Sequence, residues 1–382
     1  MLAVIATAAA LHGTLVVSDR SELRLRDSHE PTGRAIDLDT APGATLRMTD
    51  RRWEVEAFYG PRFTALATNV DLESDVTLLH RGRVGVAWHD ENVRIGTTEE
   101  VMYGQESFAT LTSALPANGL PRLDVLPPPT TIDYVRSRSA VLATVALSRR
   151  TTFLSGLEYW VEGGTNEPSR RVLPLHKGPR IEEIVEYRLS RRDRVSSAIV
   201  AQRLVFSSGP EDTIVEASER WSHSIDRVTE TSLRVGSALA AEKADSASSV
   251  RYTAHPVVEA RITHELLSHL QMIGEIAVAP IVDRVSGAVD ERMDARLASM
   301  WWFFPHMGVR AIGGVTRSVP IDKSNSVSFA VGEAAFIYQP SPEVRAELGT
   351  RAAWQGVGRE DSGPALWTAF VALTLSTRPL EL

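Results

Sequence analysis

Cysteine is absent from the 382 residues, which removes disulfides, thiolate metal centres and cysteine nucleophiles together. The longest apolar run, Leu2 to Leu11, falls far short of the roughly 18–20 residues that a membrane-crossing helix needs. A bundle of spanning helices is therefore excluded. Basic excess is missing as well: 41 lysines and arginines stand against 48 acidic residues. Without a basic stripe to hold phosphates, nucleic acid is not an expected partner. The catalytic signatures are also lacking, since no Gly-x-Ser-x-Gly elbow, phosphate-cradling Gly-x-x-x-x-Gly-Lys loop or dinucleotide fingerprint occurs. In His264-Glu-Leu-Leu-Ser-His269 the histidines are five apart rather than the four that set two zinc ligands on one helical face. That segment reads as a polar turn between strands. Neither an enzyme nor a metal or cofactor site is expected.

What is present is an apolar fraction of 43% with aromatic residues spread along the whole length, unlike a disordered chain. Such a length suits two ordinary domains or one large closed sheet. Leu2–Leu11 looks like the apolar core of a secretory signal. Residues 1–13 are thus expected to be a remnant of such a segment, and 14–382 a single domain.

The dominant signal is a period of two, which puts apolar side chains on one face of a strand. From Trp53 to Leu66 the odd positions carry Trp53, Val55, Ala57, Tyr59 and Phe63, and the even ones Glu54, Glu56, Arg62 and Thr64. The pattern returns from Val250 to Ile262, with Tyr252, Val258 and Ile262 opposed by Arg251, His255, Glu259 and Arg261. Further segments are Thr152–Glu162, Ile181–Leu189, Leu270–Val282, Arg292–Phe303, Val327–Tyr338, Val344–Trp354 and Ala365–Leu375. Tight connections such as Ser148–Thr151, Ser190–Asp193, Arg81-Gly-Arg83 and Pro340–Pro342 alternate with longer ones, including Gly163–Arg180, Ala244–Ser249 and Val357–Pro364. Laying strands between them predicts an all-β antiparallel barrel of about 18 strands, within a range of 16–18. The longest interruption, 99–131 with Pro127-Pro-Pro129, is the candidate for a loop folded over the pore mouth. Pro61, Pro256 and Pro280 fall inside proposed strands, where each deletes a ladder hydrogen bond.

The apolar faces are rich in Ala and Val, and Trp53, Trp221, Trp301, Trp354 and Trp367 stand near strand ends, where an interfacial belt would lie. The polar faces carry both signs and are expected to line a lumen. On the early strands these residues are Glu54, Glu56, Arg136, Arg138 and Glu158, followed by Glu182, Glu186 and Arg188. Later strands contribute Arg251, His255, Glu259 and Arg261, then Arg292, Asp294 and Arg296, and finally Arg345, Glu347 and Arg351. In this register Glu219 and Glu333 fall on the apolar face.

Segments such as Ala140-Val-Leu-Ala-Thr-Val-Ala-Leu-Ser-Arg-Arg-Thr-Thr-Phe153 and the closing Ala365-Leu-Trp-Thr-Ala-Phe-Val-Ala-Leu-Thr-Leu375 carry a resemblance. From Ser21 onward the chain resembles the porin-like outer-membrane β-barrels of Gram-negative bacteria, although it ends in Leu382 where that family has an aromatic residue. The resemblance implies a passive outer-membrane channel without cofactor. Its partners would be outer-membrane lipids, the barrel-assembly machinery and small solutes or ions. Two alternatives remain: a non-conducting structural or adhesion barrel, and an outer-membrane hydrolase using a group such as His255 and Glu259.

Overall fold

The structure is a computed structural model describing residues 12–28, 34–68, 75–107, 131–244, 248–266, 269–320, 326–357, 361–362 and 366–381. Alternating side chains leave every second residue without a polar partner environment, so each strand needs an apolar medium on one side only. The solution adopted is one closed sheet. Its wall strands are β1 (His12–Ser28), β2 (Arg34–Thr40 continued by Gly43–Thr49), β3 (Trp53–Tyr59 continued by Arg62–Thr68), β4 (Asp75–His89), β5 (Val93–Ser107) and β6 (Thr131–Ala146). Next come β7 (Thr151–Gly164), β8 (His176–Arg188), β9 (Asp193–Phe206), β10 (Glu211–Ser224), β11 (Thr229–Lys243) and β12 (Arg251–Leu266). The wall is completed by β13 (Leu270–Val282), β14 (Val289–Phe304), β15 (Met307–Pro320), β16 (Val327–Ser341), β17 (Val344–Val357) and β18 (Leu366–Ser376). Consecutive strands pair antiparallel, and β18 pairs back onto β1 from Ser18↔Ser376 to Ser28↔Leu366. The result is an 18-strand barrel with no free edge.

Connections of two to four residues join strands at the end that carries His12 and Ser376, and mostly longer ones lie at the other end. Three expectations need correction. Arg81-Gly-Arg83 is no turn but the middle of β4, where Gly82 pairs with Tyr59 and Arg81 lies opposite the break in β3, its carbonyl accepting the Gly60 N–H at 2.9 Å. Glu99–Ser107 belongs to β5 and Thr131 opens β6, while 108–130 lies outside the described residues. The Gly163–Arg180 connection shrinks, because β7 runs to Gly164, β8 begins at His176, and a short helix α1 (Glu167–Val172) fills the interval. Of the proposed signal remnant, residues 1–11 lie outside the described residues and His12 and Gly13 already belong to β1.

The prolines sit where the ladder is already interrupted. Pro61 lies in the break within β3. The β12–β13 ladder stops at Val258↔Val278, and continuing its register by two residues sets Pro256 opposite Pro280. With no N–H on either side the ladder cannot extend. Each strand keeps its other neighbour, Pro256 facing Ser237 and Pro280 facing Glu291.

Outward side chains form an exposed apolar surface that includes Leu23, Leu25, Ile199, Val235, Ile276 and Leu348. Exposed aromatics stand at both ends, Trp53, Tyr187, Trp221 and Trp301 near the short turns and Tyr103, Tyr159, Tyr252 and Trp367 near the long loops. Glu219 lies on this outer face as expected, directly opposite Ser197, whose hydroxyl donates to it at 2.8 Å. Glu99 and Glu183 stand on the outer face in the same way, opposite Ser139 and Ser155. Glu333 does not: it points inward, buried to 5% exposure.

That inward glutamate belongs to a chain of buried charges that crosses the closing seam. Arg310 donates to Glu333 at 2.6 Å and to Glu347 at 2.8 Å. Arg351 bonds Glu333 and then reaches over β18 to Glu22 on β1. Glu22 receives Arg24 Nε at 2.7 Å; Arg24 donates to Asp39 at 2.9 Å, and Arg62 links Asp39 to Glu106. Reaching over β18 is possible because its inward residues there are Thr368 and Ala372, while the Phe370 ring lies 4.0 Å beneath the Arg351 guanidinium. Charges this deeply desolvated must all be matched, since removing one partner of a buried pair costs about 3–5 kcal/mol.

Two predictions follow from these placements. Arg351→Met is expected to lower the midpoint of heat-induced unfolding in detergent markedly, by the equivalent of about 3–5 kcal/mol, while Arg94→Met at an exposed pair changes it by about 1 kcal/mol or less. Equal effects would show that the seam is not held by its charges. Glu219→Leu and Glu333→Leu should act in opposite directions, the first neutral or stabilising and the second strongly destabilising in the same assay. Matching signs would contradict the assigned faces.

Candidate functional site: the barrel interior and its long-loop end

Inward-facing side chains divide into regions of different wetness. Around β15–β18, β1 and the long-loop halves of β2 and β3 the interior is dry: Glu347 is 2% exposed and Arg351 4%. Across β2–β8 the charges pair more loosely, as Arg47 with Glu56, Arg83 with Glu56 and Glu100, and Arg94 with Glu54. Arg138 and Arg180 converge on Glu158, and Arg180 also reaches Glu182 at 3.4 Å. Here side chains keep substantial contact with solvent, 64% for Arg94 and 50% for Arg83. Cavities of about 370 and 230 Å³ lie against this stretch, between Glu54 and Arg94 and between Arg138 and Glu182. A third of about 440 Å³ opens near the short-turn end, lined by Ser222, Ser224, Ser232, Thr263 and Arg261.

Along β10–β14 a further set of pairs spans neighbouring strands. Arg220 and Arg234 share Glu259, while Arg261 and Arg296 share Glu275. Arg292 donates to Asp294 at 2.8 Å, and buried His255 lies 3.7 Å from Glu291. Glu186, Arg188 and Arg251 share the inward parity of their strands but take part in none of these pairs. Arg136 sits on the same face of β6 as Arg138, within electrostatic reach of Glu162. The sequence-derived residues are thus distributed around the interior rather than gathered into one pocket.

At the long-loop end the interior is crossed. The β13–β14 loop is a tight turn in which Asp283 Oδ1 accepts the N–H groups of Val285 and Ser286, and Gly287 takes φ +71°. Its Arg284 donates to Glu162 on β7 at 3.1 Å, six strands away along the wall. Tyr134 donates to the same carboxylate at 2.8 Å, and His176 approaches it at 4.0 Å while stacking on Phe206. Beneath this polar knot Leu79, Ile132, Tyr134 and Leu173 form an apolar cluster against which Val285 packs.

The α1 loop folds back against β6 and β7. Asn166 caps α1 by accepting the Ser169 N–H at 2.8 Å, and Ser169 Oγ accepts the Asp133 N–H at 3.0 Å. Gly163, at φ +141°, permits the approach, because a Cβ there would stand 2.6 Å from Leu175 Cα. Sequence reasoning missed this crossing. The only available sign was the inward parity of Glu162 with Glu158; that Arg284 meets it depends on where the loop folds.

Among solved structures the fold is that of OpdO from Pseudomonas aeruginosa, with a TM-score of 0.50 at 12% identity over 97% of each chain. The outer membrane protein opdK from Pseudomonas aeruginosa is similar with a TM-score of 0.49 at 12% identity, over 96% of this chain and 99% of its own. The FrpB iron transporter from Neisseria meningitidis gives 0.49 at 8% identity, over 90% of this chain and 62% of its own. No curated protein sequence matches. Residues 3–379 match a single family throughout, and the chain accordingly belongs to the EpsX exopolysaccharide export family.

Proposed function

We propose that this chain is an outer-membrane channel through which exopolysaccharide leaves the cell, with the short turns in the periplasm and the long loops outside. The observation that carries this reading is a closed sheet with an apolar outer face and an interior of paired charges and hydroxyls. Hydrocarbon tolerates only backbone whose hydrogen bonds are satisfied internally, as a closed barrel provides. A wall of alternating signs offers hydrogen-bond partners to a hydroxyl-rich polymer while presenting little net field beyond a Debye length of about 8–10 Å. The family's association with exopolysaccharide export supports the choice of cargo. The outer face would meet membrane lipid, and β18 would present the closing strand to the barrel-assembly machinery.

The narrowest point in this reading is the knot of Arg284, Glu162 and Tyr134. It also supports a second reading, a non-conducting structural barrel, if the knot never opens. Conductance in a planar bilayer separates the two. Wild-type protein is expected to show small, infrequent openings, and Arg284→Ala to raise unit conductance or open time several-fold; silence from both would favour the structural barrel. In the same bilayer, changing Arg83, Arg94, Arg138 and Arg180 together to Gln should shift the reversal potential toward cations, because their exposed glutamate partners remain. An unchanged potential would mean that ions do not pass along β3–β8. Export itself is read as surface polysaccharide in cells lacking the chain and in cells restored with each variant.

A further inference from the structure

We propose that the short-turn rim between β6 and β11 is a binding surface for the phosphate headgroups of anionic phospholipids. The inference rests on the reading of the barrel as membrane-embedded, but not on whether it conducts. Two of the turns share one construction. In Ser148-Arg-Arg-Thr151, Ser148 Oγ accepts the N–H groups of Arg150 and Thr151 at 3.1 and 3.0 Å. In Ser190-Arg-Arg-Asp193, Ser190 Oγ accepts those of Arg192 and Asp193, both at 3.0 Å. The next turn uses Asp226, which accepts the N–H groups of Val228 and Thr229 at 2.8 and 2.7 Å. These backbone bonds hold its carboxyl below the ordinary range.

In each case a short polar residue satisfies the turn and the arginines are turned outward. Arg149, Arg150, Arg191, Arg192 and Arg227 are all exposed. None of the five has an ion pair or side-chain hydrogen bond among the described residues. Asp193, in the second turn, instead accepts from Ser190 at 2.6 Å and is bonded to His223 at 2.8 Å. Among the described residues these cations therefore have no paired counter-charge.

Their level selects the counter-charge. Tyr187 and Trp221, outward and 41% and 45% exposed, stand immediately above these turns, and amphipathic rings settle at the boundary between hydrocarbon and headgroups. Arginines just below such rings lie in the phosphate layer rather than out in solution, which favours lipid over a soluble acidic protein. Guanidinium also suits phosphate geometrically, through parallel N–H bonds. Elsewhere on the rim the turns after β12, β14 and β16 carry His269, Pro305-His306 and Pro342-Glu343, without arginine, and Arg52 in the turn after β2 has Asp90 within 4.0 Å. The arrangement would gather anionic lipid along one arc.

The test uses the purified full chain equilibrated with equimolar phosphatidylglycerol and phosphatidylcholine, bound lipid being counted by native mass spectrometry. Each cation near an anionic surface strengthens attraction by about fivefold. Wild type is therefore expected to retain at least tenfold more phosphatidylglycerol, and the preference should shrink in high salt. Changing Arg149, Arg150, Arg191 and Arg192 to Gln should reduce it to twofold or less, while Arg83→Gln with Arg94→Gln leaves it intact. Should the fourfold variant not fold, the two pairs changed separately should each lose part of the preference. A wild type without preference, or a fourfold variant that keeps it, would overturn the proposal; so would a rim that ignores phosphatidylglycerol yet binds polyglutamate, which would point to an acidic protein.

Discussion

The fold depends on closing a sheet whose first and last strands are at opposite ends of the chain. Until β18 lies against β1, both expose a row of unpaired backbone groups. Closure is reinforced inside by Arg351, which joins Glu333 on β16 to Glu22 on β1 across the inward face of β18. The small residues at Thr368 and Ala372 are a condition of that bridge, since a long side chain at either position would stand in its way. Each further charge in the chain neutralises its predecessor, and a buried series of this kind is stable only when complete.

Much of this was legible because a strand between two unlike media must alternate. Leu270–Val282 appears in the structure with the bounds its pattern implies, and the count of eighteen followed from the spacing of tight and long connections. Failures occurred where alternation is silent. In β16 apolar residues occupy both faces, with Phe329, Val331 and Ile337 inside and Phe336 and Tyr338 outside, so only the neighbouring arginines reveal which way Glu333 points. Arg81-Gly-Arg83 imitates a turn by composition, yet its arginines are two apart and share one face. The helix α1 is too short to show a helical period, and the partner of Glu162 lies more than a hundred residues away in sequence.

The interior charges looked alike in the sequence, as one mixed-sign lining of a wet lumen. The structure separates them by burial rather than by type. Glu347 and Arg351 belong to the dry seam, whereas Glu54, Arg94 and Glu158 border cavities and keep water. Sequence alternation reports which side of the wall a residue faces. It carries no information about how far the opposite wall or an inserted loop stands from it, which decides whether the charge is structural or accessible.

For the proposed passage of a polymer, that separation constrains where the barrel opens. Widening the barrel at β15–β18 and β1–β3 would strand several desolvated charges at once, each costing a few kcal/mol. At the long-loop end the ion pair of Arg284 with buried Glu162 is one contact of a six-residue turn, and Arg284 itself retains 31% exposure. Beside that turn, Pro256 and Pro280 already leave the β12–β13 ladder unfastened. The strand that bears the loop can therefore shift without breaking ladder bonds to β12 at that end. A charge-bridged seam on one side and, beside the crossing loop on the other, a ladder already interrupted would place an opening of the proposed channel at the mouth rather than in the wall, leaving the hydrogen-bonded cylinder unchanged.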